Sequence, residues 1–244
     1  MRTKRIWIGW IVLASGVLGA CSGIESAAPL GEASDRVAPA NADPLQRLYP
    51  GTTRLFERDD GGFLSRAIGP DVGADRNGVT TWLERTSRLE ALGDEGELSR
   101  EARLGRDAKG VLLLESLNPA RGLRTVFEPP LRLAPSALVV GEWHEAETSL
   151  RLFDGDGRAR GDGAARVRTE RLPAERVVTP MGVIDAHRID VSLELQLGNS
   201  RVSRVARYAV GDDGIVVIDA SQRVVAMGFT VRRESFVARA TPPE

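Results

Sequence analysis

Few residues in this chain are equipped for chemistry. Cysteine occurs once, at Cys21, and histidine twice, at His144 and His187. One cysteine excludes an internal disulfide framework and any multi-cysteine zinc site. His144 sits in Glu142-Trp143-His144-Glu145. A zinc-protease helix needs His-Glu-x-x-His, and position 148 is threonine. His187 lies more than forty residues further on, beside Asp185. A hydrolase would need one of these imidazoles in a cleft next to carboxylates. Asp154-Gly155-Asp156-Gly157 offers carboxylates in the manner of a calcium loop. Such a loop needs oxygen ligands at positions 1, 3, 5 and 12 and glycine at 6. Here Arg158 and Ala159 hold positions five and six, and Arg160 follows, so the run reads as an exposed hairpin loop. No phosphate-binding glycine loop, dinucleotide fingerprint or Gly-x-Ser-x-Gly elbow occurs. The expectation is a protein that is not an enzyme and uses no metal or cofactor.

Cys21 has a more informative setting. Arg2, Lys4 and Arg5 precede an apolar run from Ile6 to Leu18. Those thirteen residues span about 20 Å as a helix, short of the ~30 Å hydrocarbon core of a bilayer. A basic start, a short apolar segment and then small residues make a secretory signal peptide. Leu18-Gly19-Ala20-Cys21 resembles the lipobox of bacterial lipoproteins at all four positions. The resemblance implies that residues 1–20 are recognised through Leu18, Gly19 and Ala20 and removed, and that Cys21 is acylated. Each buried methylene contributes about 0.8 kcal/mol, so two or three acyl chains hold a domain on a membrane. Ser22, not aspartate, follows the cysteine. By resemblance to enterobacterial sorting, this implies an envelope protein on the outer membrane, facing the periplasm in a Gram-negative cell.

Charge narrows the partners. The chain carries 33 Lys+Arg against 34 Asp+Glu. Without residues 1–20 the balance is 30 against 34, a mildly acidic −4. Nucleic-acid binders normally carry a clear basic excess, so no nucleic-acid partner is expected. Only Lys4 and Lys109 are lysines; the other 31 basic residues are arginine. That bias reads as the mark of a GC-rich genome rather than of 31 recognition sites.

The positions that could hold a site must be set by strands. Residues 21–44 are small, polar and acidic and read as the lipidated cysteine with a flexible tether, reaching about 25 Å. The domain is expected over 45–240, with a frayed tail at 241–244. Within 187–197, apolar and polar residues alternate strictly, the pattern of a strand with one wet face. Gly198-Asn199 then marks a turn into a partner strand over 201–210. Further strands are expected over 97–104, 110–117, 142–153, 164–172, 215–219 and 223–236. Short turns between them suggest an antiparallel meander. A helix is expected near 80–93, where Trp82, Leu83, Leu89 and Leu92 fit one helical face. Residues 128–135, with Pro129, Pro130 and Pro135, read as an extended crossover, because proline is poorly tolerated in a central strand.

The second half carries a pattern: Val177-x-x-Pro180-x-Gly182-x-x-x-Ala186-x-x-Ile189, then Tyr208 in a strand, then Gly214-Ile215-Val216. It resembles uncharacterised bacterial envelope lipoproteins, which are similar to the half-barrel of LolA-like lipoprotein carriers. The resemblance implies a curved antiparallel sheet with an apolar concave face that binds an apolar or lipid-like ligand. An envelope scaffold that binds a protein partner through a sheet edge is the alternative. The aromatic-rich strand of that pattern has only Tyr208 here.

Overall fold

The computed structural model describes Leu45 and residues 54–69, 79–94 and 96–242. The chain is mainly β. It forms β1 (Arg54–Arg58), β2 (Phe63–Ile68), β3 (Thr80–Leu89), β4 (Glu97–Asp107), β5 (Gly110–Asn118) and β6 (Leu123–Pro135). β7 (Trp143–Phe153), β8 (Ala159–Thr179), β9 (Gly182–Leu197), β10 (Ser200–Gly211), β11 (Gly214–Ala226) and β12 (Phe229–Ala240) follow. A 3-10 turn at Pro119–Arg121 joins β5 to β6. Each strand pairs antiparallel with the next, and β12 returns to β1, so the sheet closes. The closing ladder matches Phe56 with Ala240, Glu57 with Arg239 and Arg58 with Ala238.

Closure gives every strand one inward and one outward face. Phe56, Leu104, Leu113, Leu131, Leu150, Val167, Ile189, Val210 and Ile215 form the sealed part of the core, with Leu45 buried among them. A second, smaller core gathers Val177, Ala186, Ala209, Val216 and Val217. Odd-to-even turns, such as β1–β2 and β11–β12, mark one end of the barrel, the far end. β1 begins at Arg54 at the near end.

Close packing fixes two neighbouring strands by backbone alone. Gly163 on β8 opposes Leu197, and a Cβ there would lie 1.9 Å from the Gln196 carbonyl oxygen. At the near end, Asp107 ties three strands together. Its carboxylate accepts two parallel 2.8 Å bonds from Arg132 on β6 and one from the Lys109 backbone N–H in the β4–β5 turn.

Four expectations are corrected. The sheet is a closed barrel rather than a half-barrel. The stretch near 80–93 is not a helix: β3 runs to Leu89, and Trp82 and Glu84 take the same inward face at the two-residue strand period. Residues 128–135 belong to β6, which pairs with β7 only as far as Glu128. Beyond the prolines the strand pairs with β5, and its carbonyls accept bonds from the inward hydroxyls of Thr148 and Thr169. The strand expected over 223–236 is two strands. Met227 and Gly228, with φ of 48° and 83°, turn the chain between β11 and β12. Methionine at positive φ is uncommon, so the lone Gly228 was the one turn signal.

The hydrogen bonds from Arg132, ahead of the opposing effect of burial, hold the Asp107 carboxyl at about 2 instead of 3.8. A carboxylate held below its unfolded value contributes stability above that value and loses it as pH falls. Asp107→Asn should therefore flatten the acid limb of stability between 3.8 and about 2, as read by denaturant unfolding across pH. An unchanged acid limb would remove Asp107 as its source.

Candidate functional site

The far half of the interior differs in chemistry from the near half. The inward register there brings up Arg66 on β2, Glu84 and Arg88 on β3, Arg100 on β4, Arg204 on β10 and Glu234 on β12. Arg66 donates to Glu84 Oε2 at 2.6 Å, with the two side chains only 9% and 8% exposed. Glu84 also interacts with the charges of Arg100 and Arg204. No ladder joins β10 to β2, β3 or β4, so the Arg204 interaction crosses the interior. Arg88 and Arg232 both meet Glu234, Arg88 at 3.9 Å. Burial by itself would push the Glu84 carboxyl up. The field of Arg66, then that of Arg100, the Arg66 hydrogen bond and Arg204 override it and hold the group below its ordinary value.

Apolar residues share the inward register with these charges. Leu193, Leu195 and Leu197 on β9 share the inward register with Val202 on β10 and Val224 on β11. All five are half-buried, whereas Val167, Ile189 and Val210 below them are sealed. The inward positions toward the far end thus interleave arginine with half-covered hydrocarbon: Arg204 lies opposite Leu193, and Arg232 opposite Val224.

The outside of the barrel faces water. Arg85 pairs with Glu101 at 2.8 Å, and Arg124 with Glu115 at 2.6 Å. Arg166 meets both Glu145 and Glu147, and Arg207 reaches Asp190 and Asp219. A charge on the lipid face of a membrane barrel costs up to about 2–4 kcal/mol, so a wall laddered with charges does not lie in hydrocarbon. A groove of about 320 Å³ on this outer wall is lined by such pairs, including Glu101, Arg103 and Arg124.

Leu18, Gly19, Ala20 and Cys21 lie outside the described residues. His144 and His187 are on β7 and β9, with β8 between them, where they face Thr169 and Ala174. Burial pushes the His144 pKa down, against a hydrogen bond with the Arg132 backbone. Among the described residues no three His, Cys, Asp or Glu side chains cluster as a metal site. Asp154 Oδ1 accepts the backbone N–H of Asp156 at 3.1 Å and of Arg158 at 2.8 Å, and Arg160 covers the other oxygen at 2.8 Å. Its carboxylate therefore shapes the β7–β8 turn. In the Val177–Ile189 pattern, the Thr179 hydroxyl accepts the Met181 N–H and donates to the Gly182 carbonyl. Gly182 takes φ of 110°, Val177 and Ala186 enter the smaller core, and Ile189 enters the main one. The pattern builds a turn between two cores.

Sequence reasoning missed Arg66, Glu84, Arg100 and Arg204. One signal was present: Arg204 shares the strand parity of Val202, Ala206 and Tyr208, so a charge stands on an otherwise apolar face.

These features define a closed antiparallel barrel with an ion-paired outer wall and arginines among its inward positions. No family model matches the chain, and neither does any curated protein. Two solved structures were found to be similar. One, from Bacteroides fragilis, is described provisionally as an exported protein with a YmcC-like fold. It is 9% identical, with a TM-score of 0.37, over 78% of this chain and 93% of that one. The other, from Parabacteroides distasonis, is described provisionally as a lipoprotein. It is also 9% identical with a TM-score of 0.37, over 78% of this chain and 95% of that one.

Removing one partner of a buried ion pair costs about 3–5 kcal/mol, while replacing both with apolar groups costs much less. Glu84→Gln should lower unfolding free energy by about that amount. A double Arg66→Met, Glu84→Leu variant should regain part of it. Equal losses in the two would mean that the pair itself contributes net stability.

Proposed function

We propose that this protein is a lipid-anchored, non-enzymatic lipoprotein of the bacterial cell envelope. In this reading Cys21 is held in the outer membrane by acyl chains, and the barrel takes an apolar or lipid-like ligand into its far half. The anchor rests on the leader and lipobox residues, Leu18 to Cys21, in a chain with no other cysteine. The ligand rests on one observation: Leu193, Leu195 and Leu197 point inward yet keep contact with solvent. Sealed cores do not leave such a row half-covered, and ligand pockets are lined in this way.

A second reading, a scaffold that binds a protein partner, is favoured by the split between β6 and β7. Only Ser149–Phe153 of β7 pairs with β6, and residues 143–148 pair with β8 alone. Trp143, 52% exposed, stands at this edge beside exposed Val139 and Val140. An unpaired strand edge accepts an added strand.

Two measurements test the proposal. Cys21→Ser should move the protein from the membrane fraction to the soluble fraction and abolish incorporation of labelled fatty acid; retention of both would overturn the anchor. A neutral naphthylamine probe should brighten on binding the barrel, and Leu195→Glu should suppress this while Trp143→Asp leaves it intact. Loss only with Trp143→Asp would move the ligand site to the β7 edge.

A further inference from the structure

The β11–β12 turn combines two local penalties. Met227 takes φ of 48°, a left-handed backbone that residues other than glycine adopt uncommonly. Its side chain is 69% exposed, and Phe229 beside it is 75% exposed, more than any other large apolar residue among those described. The Met227 N–H donates to the Asn199 carbonyl at 3.1 Å, so the tip is tied to the β9–β10 turn. Backbone strain that holds an apolar side chain out in water points to a role for that side chain outside the fold.

Behind the tip, the outer face carries cations. Arg223 and Arg233 oppose each other across the β11–β12 ladder, and both are exposed. Like charges directly opposite repel. Arg223 donates to the Thr230 hydroxyl at 2.8 Å, and neither arginine meets a carboxylate among the described residues. The neighbouring outward positions Ser203, Ser221 and Ser235 are neutral. Nearby arginines are matched instead: Arg201 meets Glu194, and Arg232 meets Glu234. Exposed apolar residues toward the other end have paired or acidic surroundings. Trp143 lies opposite Glu170, and Val178 and Val183 adjoin the Arg176–Asp185 pair. The β3–β4 tip carries Leu92 with exposed Glu90 and Asp94, which anionic headgroups would repel.

From this juxtaposition we infer that the β11–β12 tip docks on an anionic phospholipid surface, with Met227 and Phe229 among the upper acyl chains and Arg223 and Arg233 on the phosphates. Arginine suits this task, because its planar fork grips phosphate through two parallel bonds. The spacing fits as well. Interfacial apolar residues sit about 5–10 Å into the headgroup–acyl boundary, and four residues of strand set each arginine about 13 Å behind the tip, within reach of the headgroups. The inference rests on the anchor at Cys21, which keeps the barrel beside a bilayer. Two apolar side chains and two cations bind weakly alone, and a tether supplies the effective concentration they need. Residues 21–44 would span about 80 Å if fully extended, so the tether lets either end of the barrel meet the leaflet, and the surface chemistry selects the far one.

Brominated phospholipid quenches a tryptophan that touches its acyl chains, so two reporters test the inference: Phe229→Trp at the far tip and Val183→Trp toward the other end. The full chain, as processed in a bacterial host, is placed in brominated phosphatidylcholine vesicles with or without phosphatidylglycerol, and the unmutated chain gives the baseline. With phosphatidylglycerol present, Phe229→Trp should lose at least about three times as much emission as Val183→Trp. Arg223→Gln together with Arg233→Gln should cut that loss to about half or less. Arg207→Gln, which removes a paired arginine of the same outer wall, should leave it unchanged. Raised salt should also lower the loss, with no further substitution. Equal or greater quenching at Val183→Trp would overturn the inference by placing the opposite end on the bilayer. Quenching at neither reporter would overturn it and leave the tip to a protein partner. Quenching at Phe229→Trp that ignores phosphatidylglycerol, salt and both arginine changes would overturn the anionic assignment. Flotation with the vesicles reads the anchor separately: lost flotation with quenching intact would overturn the anchor at Cys21 and support the tip contact.

Discussion

The pairing of β1 with β12 is a short ladder, three residues matched to three, and the rest of the molecule depends on it. An open twelve-stranded meander has two edges and two wet faces. Closing it removes both edges and divides every strand into inward and outward positions. Only then do Phe56, Leu150, Val167 and Ile189, from distant parts of the chain, become a common core. Closure also decides that Glu84 and Arg204, on strands with no ladder between them, share one interior.

The interior is not uniform because its two ends are filled differently. At the near end the tail of β6 leaves β7 after Glu128 and brings Leu131 and Leu133 into the core, with its carbonyls bonded by Thr148 and Thr169. That crossing fills space a plain barrel would leave empty. Among the described residues no such segment enters the far end, and there the inward positions include arginine, glutamate and half-covered leucine as well as sealed Phe56 and Leu64. Enclosed charges need partners, and Arg66–Glu84 supplies one pair.

Much of the fold was legible in the chain. The alternation over 187–197 and the Gly198-Asn199 turn appear as β9, β10 and the hairpin between them. The misreadings share a physical cause. Trp82, Leu83, Leu89 and Leu92 satisfy a helical period only if Glu84 is given to solvent; in the barrel Glu84 is buried, and the period is two. Val225, Met227 and Phe229 look like one strand face, but the backbone reverses at Met227 and Gly228, where one isolated glycine is the sole local signal of positive φ. Pro129 and Pro130 suggested a break; the strand instead keeps its pairing with β5 and gives up β7 there.

The sequence alone determined the class of strand pairing, the acidic balance and the candidate anchor at Cys21. These depend on local period, on simple charge and on a motif within four consecutive residues. It could not determine that the sheet closes, since closure turns on matching residue 56 with residue 240, a contact no local pattern encodes. Nor could it single out Arg66, Arg100 and Arg204 among 31 arginines. Which arginines are enclosed is a property of the register around the whole barrel, and only the tertiary structure sets that register.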